Sequence, residues 1–176
     1  MSGQAGRYQR SAAGMVGAMI VLVLVVIGWV LFREFVREVP ATPIRTVDYV
    51  QVADSARDQA SFELLAPDEL PQGWRATSAR FTPGEAESWH LGLLTDEQEY
   101  VGLEQSGASV DDMVEEHVDA EAVKGKPVEV AGESWQTWRD AGGDLALVRE
   151  SGDTTTLVVG HGVPEPALAD FIGRLR

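Results

Sequence analysis

The sequence AAGMVGAMIVLVLVVIGWVLF, residues 12–32, contains no charged side chain and decides how the rest of the chain is interpreted. Twelve of its twenty-one residues are Val, Ile, Leu or Phe. As a helix with about 1.5 Å of rise per residue it spans roughly 30 Å, the thickness of the hydrocarbon core of a bilayer. A helix satisfies every backbone N–H and C=O of a single span from within. The stretch therefore predicts one transmembrane helix whose partner is the lipid bilayer.

The residues on either side of this helix bear on its orientation. Residues 1–11 are polar and basic and are expected to form a short cytoplasmic tail. Arginines flank both ends of the helix almost equally, but Glu34 and Glu38 offset those on the C-terminal side, and a long domain is translocated largely regardless of nearby charge. We expect a single-pass protein of the cell membrane, with its N-terminus cytoplasmic and its C-terminal domain extracytoplasmic. The apolar run is about twice as long as the core of a signal peptide, which favours an uncleaved anchor.

Small residues lie four positions apart within the anchor, at Ala13 and Gly17 and at Gly14 and Ala18. This spacing lets two helices approach closely and indicates a homodimer through the anchor. Small residues are also common in membrane spans generally. Both interpretations remain open.

The charge beyond the anchor limits the classes of partner. Residues 41–176 hold 10 basic and 26 acidic side chains, a net charge of −16. A surface this negative repels phosphate backbones, so we expect no nucleic-acid partner. The absence of cysteine excludes disulfides, thiolate catalysis and Cys-ligated zinc.

Residues 33–60 are predicted to form a juxtamembrane helix and a linker. Pro40 and Pro43 end the helix because each lacks an N–H and restricts the residue before it. The pattern from 47 to 59 is ambiguous. Its first residues favour an extended chain, whereas 54–60 favour a short helical turn.

Residues 61–176 are predicted to fold as an extracytoplasmic α+β domain, in which two helices pack on an antiparallel sheet of seven to eight strands. Turns rich in Gly and Pro separate short runs of β-forming residues. The expected strands are 62–65, 74–81, 89–94, 100–105, 128–130, 133–139, 145–150 and 154–159. Helices are expected at about 109–120, with Ser109 as the N-cap, and at 165–175, and the apolar stripe of each must pack on the sheet.

The sequence contains none of the motifs that carry common chemistry. It has no phosphate-binding loop, no nucleophile elbow and no pair of histidines at metal-ligand spacing. We therefore assign no catalytic, cofactor-binding or metal residue and expect no cofactor. The acidic residues of helix 109–120 form either a cation site or a solvated helix face: Asp111, Asp112, Glu115, Glu116 and Asp119.

Each histidine has a functional and a structural interpretation. His90 is either a pH-sensitive pocket residue or a solvent-side residue of its strand. His117 lies on the apolar stripe of its helix, as a buried ligand or base or as a residue at the edge of the core. The motif around His161, Gly160-His161-Gly162, is too short to be informative alone.

The tryptophans either line a pocket for an apolar ligand or sugar ring or build the core of a small domain. The residues concerned are Trp74, Trp89, Trp135 and Trp138. An apolar concavity on the uncovered face of the sheet would favour a small ligand. A filled, flat face would favour contact with another protein.

Three segments carry a resemblance to a known family: Leu70-Pro71-Gln72-Gly73-Trp74, Ser88-Trp89-His90-Leu91-Gly92, and Tyr100 to Ser106, which reads YVGLEQS. The chain resembles an uncharacterised actinobacterial family of single-pass membrane proteins that is defined by a domain of unknown function. This resemblance covers the anchor and nearly all of the following chain. It implies a membrane location and no activity for any residue.

The leading hypothesis is a noncatalytic binding or scaffolding module of the cell envelope, with an envelope protein as its partner. A second hypothesis is an envelope sensor or regulator that signals through the anchor. The third is a small hydrolase that uses His90, His117 or His161 with a nearby carboxylate.

Overall fold

The computed structural model describes residues 19, 20, 22, 23, 26 and 45–176. The predicted transmembrane helix at 12–32 otherwise lies outside the described residues, as do the tail at 1–11, the juxtamembrane helix and the small-residue pairs of the anchor. The five described residues of the stretch are helical, and their apolar side chains are exposed. Within the described part of the chain, no helix is both long and apolar enough to cross a membrane.

An antiparallel sheet of eight strands forms the centre of the unit that begins at Arg45 and ends at Arg176. The strands are β1 (Arg75–Thr82), β2 (Ser88–Leu94), β3 (Tyr100–Ser106), β4 (Val123–Lys124), β5 (Val128–Val130), β6 (Glu133–Arg139), β7 (Asp144–Ser151) and β8 (Thr154–His161). Their order across the sheet is β1-β2-β3-β8-β7-β6-β4, and β5 pairs with β6 beside β4. The predicted α+β class and antiparallel sheet are confirmed.

Three helices accompany this sheet within residues 45–176: α1 (Tyr49–Arg57), α2 (Val110–His117) and α3 (Glu165–Ile172). The prediction of two packed helices was wrong by one, because the ambiguous stretch forms α1. Asp48 caps this helix by accepting a hydrogen bond from the N–H of Gln51 at 3.3 Å. Its buried side chains are Tyr49, Ala53 and Ala56, and alanines give a weak apolar stripe in a sequence. The compact unit therefore includes residues 45–60, which precede the predicted start of the domain at 61.

The main core lies on the face of the sheet that carries Trp89, Leu91 and Leu103, which are fully buried. Helices α1 and α3 pack on this face. Gly160 on β8 allows the close approach of α3, because a Cβ there would lie 3.0 Å from Leu168 Cδ2. We call the face of the sheet that carries this main core the first face.

The second face has two unlike halves. Over β7 and β8, helix α2 buries Met113 and Val114 against Ala146 and Leu157. Over β1–β3, strand alternation and the register place polar residues outward. We call this second region the polar half-face; its side chains are Ser78, Arg80, Thr82, Ser88, His90, Tyr100, Glu104 and Ser106, with Gly92 and Gly102 between them.

The strand predicted at 62–65 does not form. Buried Gln105 takes the place of a ladder partner, since its Oε1 accepts from the N–H of Leu65 at 2.7 Å and its Nε2 donates to the carbonyl of Glu63 at 3.2 Å. The indole N–H of Trp89 donates to the carbonyl of Leu65 at 3.0 Å. Side chains thus satisfy this segment while it packs on the first face. The two-residue strand β4 was missed because so short a run carries no periodicity.

Candidate functional site

A line of hydrogen bonds crosses three strands of the polar half-face. The hydroxyl of Ser78 on β1 lies 2.8 Å from Nε2 of His90 on β2. Nδ1 of the same ring lies 2.6 Å from Oε1 of Glu104 on β3. The side chains of His90 and Glu104 are only 19% and 11% exposed. These three residues, none of which was predicted as a site residue, form the candidate site.

Sheet register explains why the three side chains meet. His90 lies directly across from Glu104 on one side and from Arg80 on the other. The same uninterrupted register of β1 with β2 sets Ser78 opposite Gly92, next to His90, and a β-bulge interrupts it only between Ser78 and Ala76. Gly92 leaves the space that the serine hydroxyl occupies, since a Cβ there would overlap it.

The hydrogen-bond partners define the roles of the ring nitrogens. The carboxylate of Glu104 can only accept, so Nδ1 of His90 carries a proton. With the ring neutral, Nε2 accepts from the hydroxyl of Ser78. Glu104 therefore orients His90, and His90 orients Ser78.

The ring of Tyr100 lies over a pair of facing glycines beside this line. Gly92 and Gly102 are partners across β2 and β3. A Cβ added to Gly102 would come within 3.3 Å of the tyrosine ring, and one added to Gly92 within 3.4 Å. Tyr100 is 41% exposed. Burial, and then the charge of Glu104, raise the pKa of Tyr100 above its ordinary value.

The other histidines are not gathered into this site. His161 pairs with Asp144 at 2.8 Å across the ends of β8 and β7, and its side chain is 67% exposed. His117 ends α2 and is half-buried. Neither His117, for which a functional and a structural interpretation were both open, nor His161 belongs to the hydrogen-bonded line of His90.

The tryptophans mainly build the core. Trp89 and Trp135 are buried, and Trp74 stacks on Phe171 with ring centroids 5.6 Å apart. Trp138 is half-buried on the second face, where the ammonium of Lys124 lies 5.7 Å from its ring centroid. The structure therefore favours the core interpretation of the tryptophans over the pocket interpretation.

The acidic residues of α2 have local structural roles. Asp111 and Asp112 occupy its first turn, and Ser109 caps it as predicted, accepting from the N–H of Asp112 at 3.2 Å. Its hydroxyl also donates to the Asp112 carboxylate at 2.6 Å. Within the described residues, no group of three His, Asp or Glu side chains is placed to hold a metal ion.

Comparison with known families gives the chain its relatives. The model of a family described as a protein of unknown function, DUF4245, matches residues 7–175. The chain belongs to the DUF4245 family. A search of curated proteins found no match. The resemblance to a domain of unknown function is thus confirmed, and the DUF4245 match includes the apolar stretch, all eight strands and the Ser78–His90–Glu104 line.

Proposed function

We propose that this protein is a noncatalytic, membrane-anchored module that binds another protein of the cell envelope through the polar half-face. The observation that carries the proposal is the exposed ring of Tyr100, which lies over the facing glycines 92 and 102. Arg80 lies on the same face of the sheet, directly across from His90. Residues 12–32 supply the anchor in this proposal, and residues 45–176 supply the extracytoplasmic binding unit.

The composition of the polar half-face suits a protein partner. Tyrosine and arginine contribute more binding energy at interfaces than most residue types, because their side chains bury much area with few rotatable groups or form several hydrogen bonds. Facing glycines keep the surface low around Tyr100, so a partner backbone can approach its ring. The sequence left two alternatives, a small ligand held by the tryptophans or contact with another protein. Because the tryptophans lie mainly in the core, we favour a protein partner.

The hydrogen-bonded line gives this surface a fixed shape. His90 is held on both ring nitrogens, and Glu104 is held by His90 beneath the surface. A surface whose side chains are ordered before binding loses less conformational entropy on association. The line therefore serves the binding surface by preorganising it.

Site-specific photocrosslinking in living cells tests the proposal. A benzophenone amino acid at Tyr100 should capture one envelope protein, whereas the same probe at Val123, which is 69% exposed on β4, should not. Tyr100→Ala should weaken the purified pair by about tenfold or more, the loss expected for a central aromatic contact. Equal capture from both positions, or none, would refute the assignment of this face.

A second candidate function is acyl transfer by Ser78, which the order of its hydrogen bonds favours. In such a reaction Ser78 Oγ attacks an ester carbonyl while His90 Nε2 takes its proton, and His90 returns that proton to the leaving alcohol. Water then releases the acyl group by the same route. Against it, Ser78 lies within a strand, not on the exposed elbow that hydrolase nucleophiles occupy.

A fluorophosphonate probe separates the two candidates. Acyl transfer requires labelling of Ser78 that disappears in His90→Gln and persists in Ser88→Ala, a serine on the same face. The binding proposal expects no labelling of Ser78 above that of Ser88. Rapid, His90-dependent labelling would replace binding with catalysis.

A further inference from the structure

The two edges of the sheet differ in how well they are closed. One edge ends in β4 and β5, which are two and three residues long. The other is β1, with eight residues. Short strands blunt an edge, whereas a long one leaves backbone groups available to another chain. Edge β1 is therefore the side at which the sheet can be extended.

The outward backbone groups of β1 can be assigned from its register. The N–H of Val47 donates to the carbonyl of Ala76 at 3.0 Å, so Ala76 points away from β2. Ala76, Ala79 and Phe81 face residues 93, 91 and 89 of β2. Pairs of an antiparallel ladder alternate between hydrogen-bonded and non-hydrogen-bonded, so pairs two residues apart along β2 are of the same type. Ala79 and Phe81 thus turn their N–H and C=O outward. Within residues 45–176, Val47 makes the one backbone hydrogen bond to this edge.

A groove of about 360 Å³ runs beside the same edge, between α1 and the end of β1. Phe81 and Pro83 form one wall. Residues on successive turns of α1, with one residue just beyond its C-terminal end, form the other: Gln51, Val52, Ser55, Ala56 and Gln59. None of these side chains carries a charge. An apolar side chain fits such a site.

We propose that β1 binds an extended segment of a partner protein by strand addition, with one apolar side chain of that segment seated in the groove beside α1. Alternate residues of an added strand point to opposite faces of the sheet. One set then enters the groove on the first face, and the other lies along Arg80 and the polar half-face. This inference rests on the proposed function and specifies the form of its partner.

The charge of the domain defines the rest of the segment. The net charge of −16 over residues 41–176 attracts a basic segment and repels an acidic one. Both effects act within about one Debye length of the protein surface. Arg80 is the charged side chain of β1 nearest the outward pair Ala79 and Phe81, so basic residues belong at the flanks of the segment and not beside Arg80. The partner segment is thus an apolar centre between basic ends.

Selection from a random linear heptapeptide library against the full chain in detergent tests this. Selected peptides should carry an apolar central residue and basic ends. Ala79→Pro removes the outward N–H of residue 79. It should weaken the binding of the best synthetic peptide by about tenfold, which corresponds to the loss of about one backbone hydrogen bond. Ala79→Val keeps the N–H and is its matched control. Ser55→Trp fills the groove and should weaken binding by at least as much, whereas Ser55→Ala should leave the affinity unchanged.

The outcomes distinguish this inference from the proposed function. Peptide affinity that neither Ala79→Pro nor Ser55→Trp lowers, or a library that yields no peptide, overturns strand addition. If crosslinking from Tyr100 is undiminished in Ala79→Pro, the polar half-face binds its partner without β1, which overturns strand addition and leaves the proposed function standing. A concentration-dependent dimer that Ala79→Pro dissociates would assign the edge to a second copy of this chain and also overturn the proposal.

Discussion

Gly92 determines how closely Ser78 and His90 can approach. An added Cβ would overlap the serine hydroxyl and lie 3.2 Å from His90 Nε2. Gly92→Ala should therefore destabilise the fold by about 1–3 kcal/mol, the usual cost of overpacking. Urea unfolding followed by tryptophan fluorescence measures the change.

Two further variants isolate the cause. In a Ser78→Ala background the same substitution should cost less, since the clashing hydroxyl is gone, and a double-mutant cycle reports the difference. At Gly107 the nearest atom to an added Cβ is 3.6 Å away, so Gly107→Ala should change stability by less than about 0.5 kcal/mol. Equal costs at the two glycines would contradict the packing argument.

The raised pKa of Tyr100 should make the fold less stable in alkaline solution. Burial first, and the Glu104 carboxylate second, raise its pKa above the ordinary value of 10.0. The folded state therefore holds the phenolic proton to higher pH than the unfolded state does. Its contribution is complete below the ordinary pKa and is lost as the pH rises through the raised one. Tyr100→Phe should flatten the dependence of stability on pH in this range.

Glu104→Gln tests the order of the two causes. Removing the carboxylate charge should lower the pKa of Tyr100, but burial should keep it above 10.0. Ultraviolet absorbance titration measures this pKa. Subtracting the absorbance of the matching Tyr100→Phe protein removes the signals of Tyr8 and Tyr49 and leaves the titration curve of Tyr100. A pKa unchanged in Glu104→Gln would contradict the charge contribution.

The sequence predicts only part of the candidate site. The alternation of side chains along β2 places Trp89 and Leu91 on one face of the sheet and His90 on the other, less apolar face. It does not show that Glu104 and Ser78 meet the ring, because the first contact depends on the register of β2 with β3 and the second on the register of β1 with β2. Register and bulges depend on contacts between distant segments.

At the scale of the elements, the N-cap of α2 carries a measurable share of stability. Ser109→Ala removes the acceptor for the N–H of Asp112 and should cost about 1 kcal/mol. Ser109→Asp retains an acceptor, so it should recover most of this loss in the same urea experiment. A cost that Asp does not recover would indicate that the hydroxyl donated to Asp112 matters more than the cap.

The elements that the sequence predicts well have strong local signals, and those it misses do not. Ser109 and the apolar residues that follow specify α2, and glycine turns separate β6, β7 and β8. Helix α1 is held by Tyr49 and two alanines, which resemble an ordinary linker in sequence. The segment at 62–65 has the composition of a strand, but the side chain of Gln105 satisfies its backbone from elsewhere in the chain.

At the scale of the whole molecule, the binding proposal requires that residues 45–176 face the cell exterior. An acidic unit on the outer side would meet envelope proteins directly, and strand addition at β1 would join it to one of them. The chain has no cysteine, so a single introduced thiol reports its own exposure without background.

Labelling of intact cells with a membrane-impermeant maleimide tests this orientation. Glu129 is the exposed residue of the short strand β5, so Glu129→Cys should be labelled without lysis. Gln4→Cys, in the predicted cytoplasmic tail, should be labelled only after lysis, because a helix at residues 12–32 keeps the tail behind the bilayer. The reverse pattern would place the β-sheet unit in the cytoplasm and remove envelope proteins as its partners. Labelling of both positions in intact cells would show that the apolar stretch does not separate them.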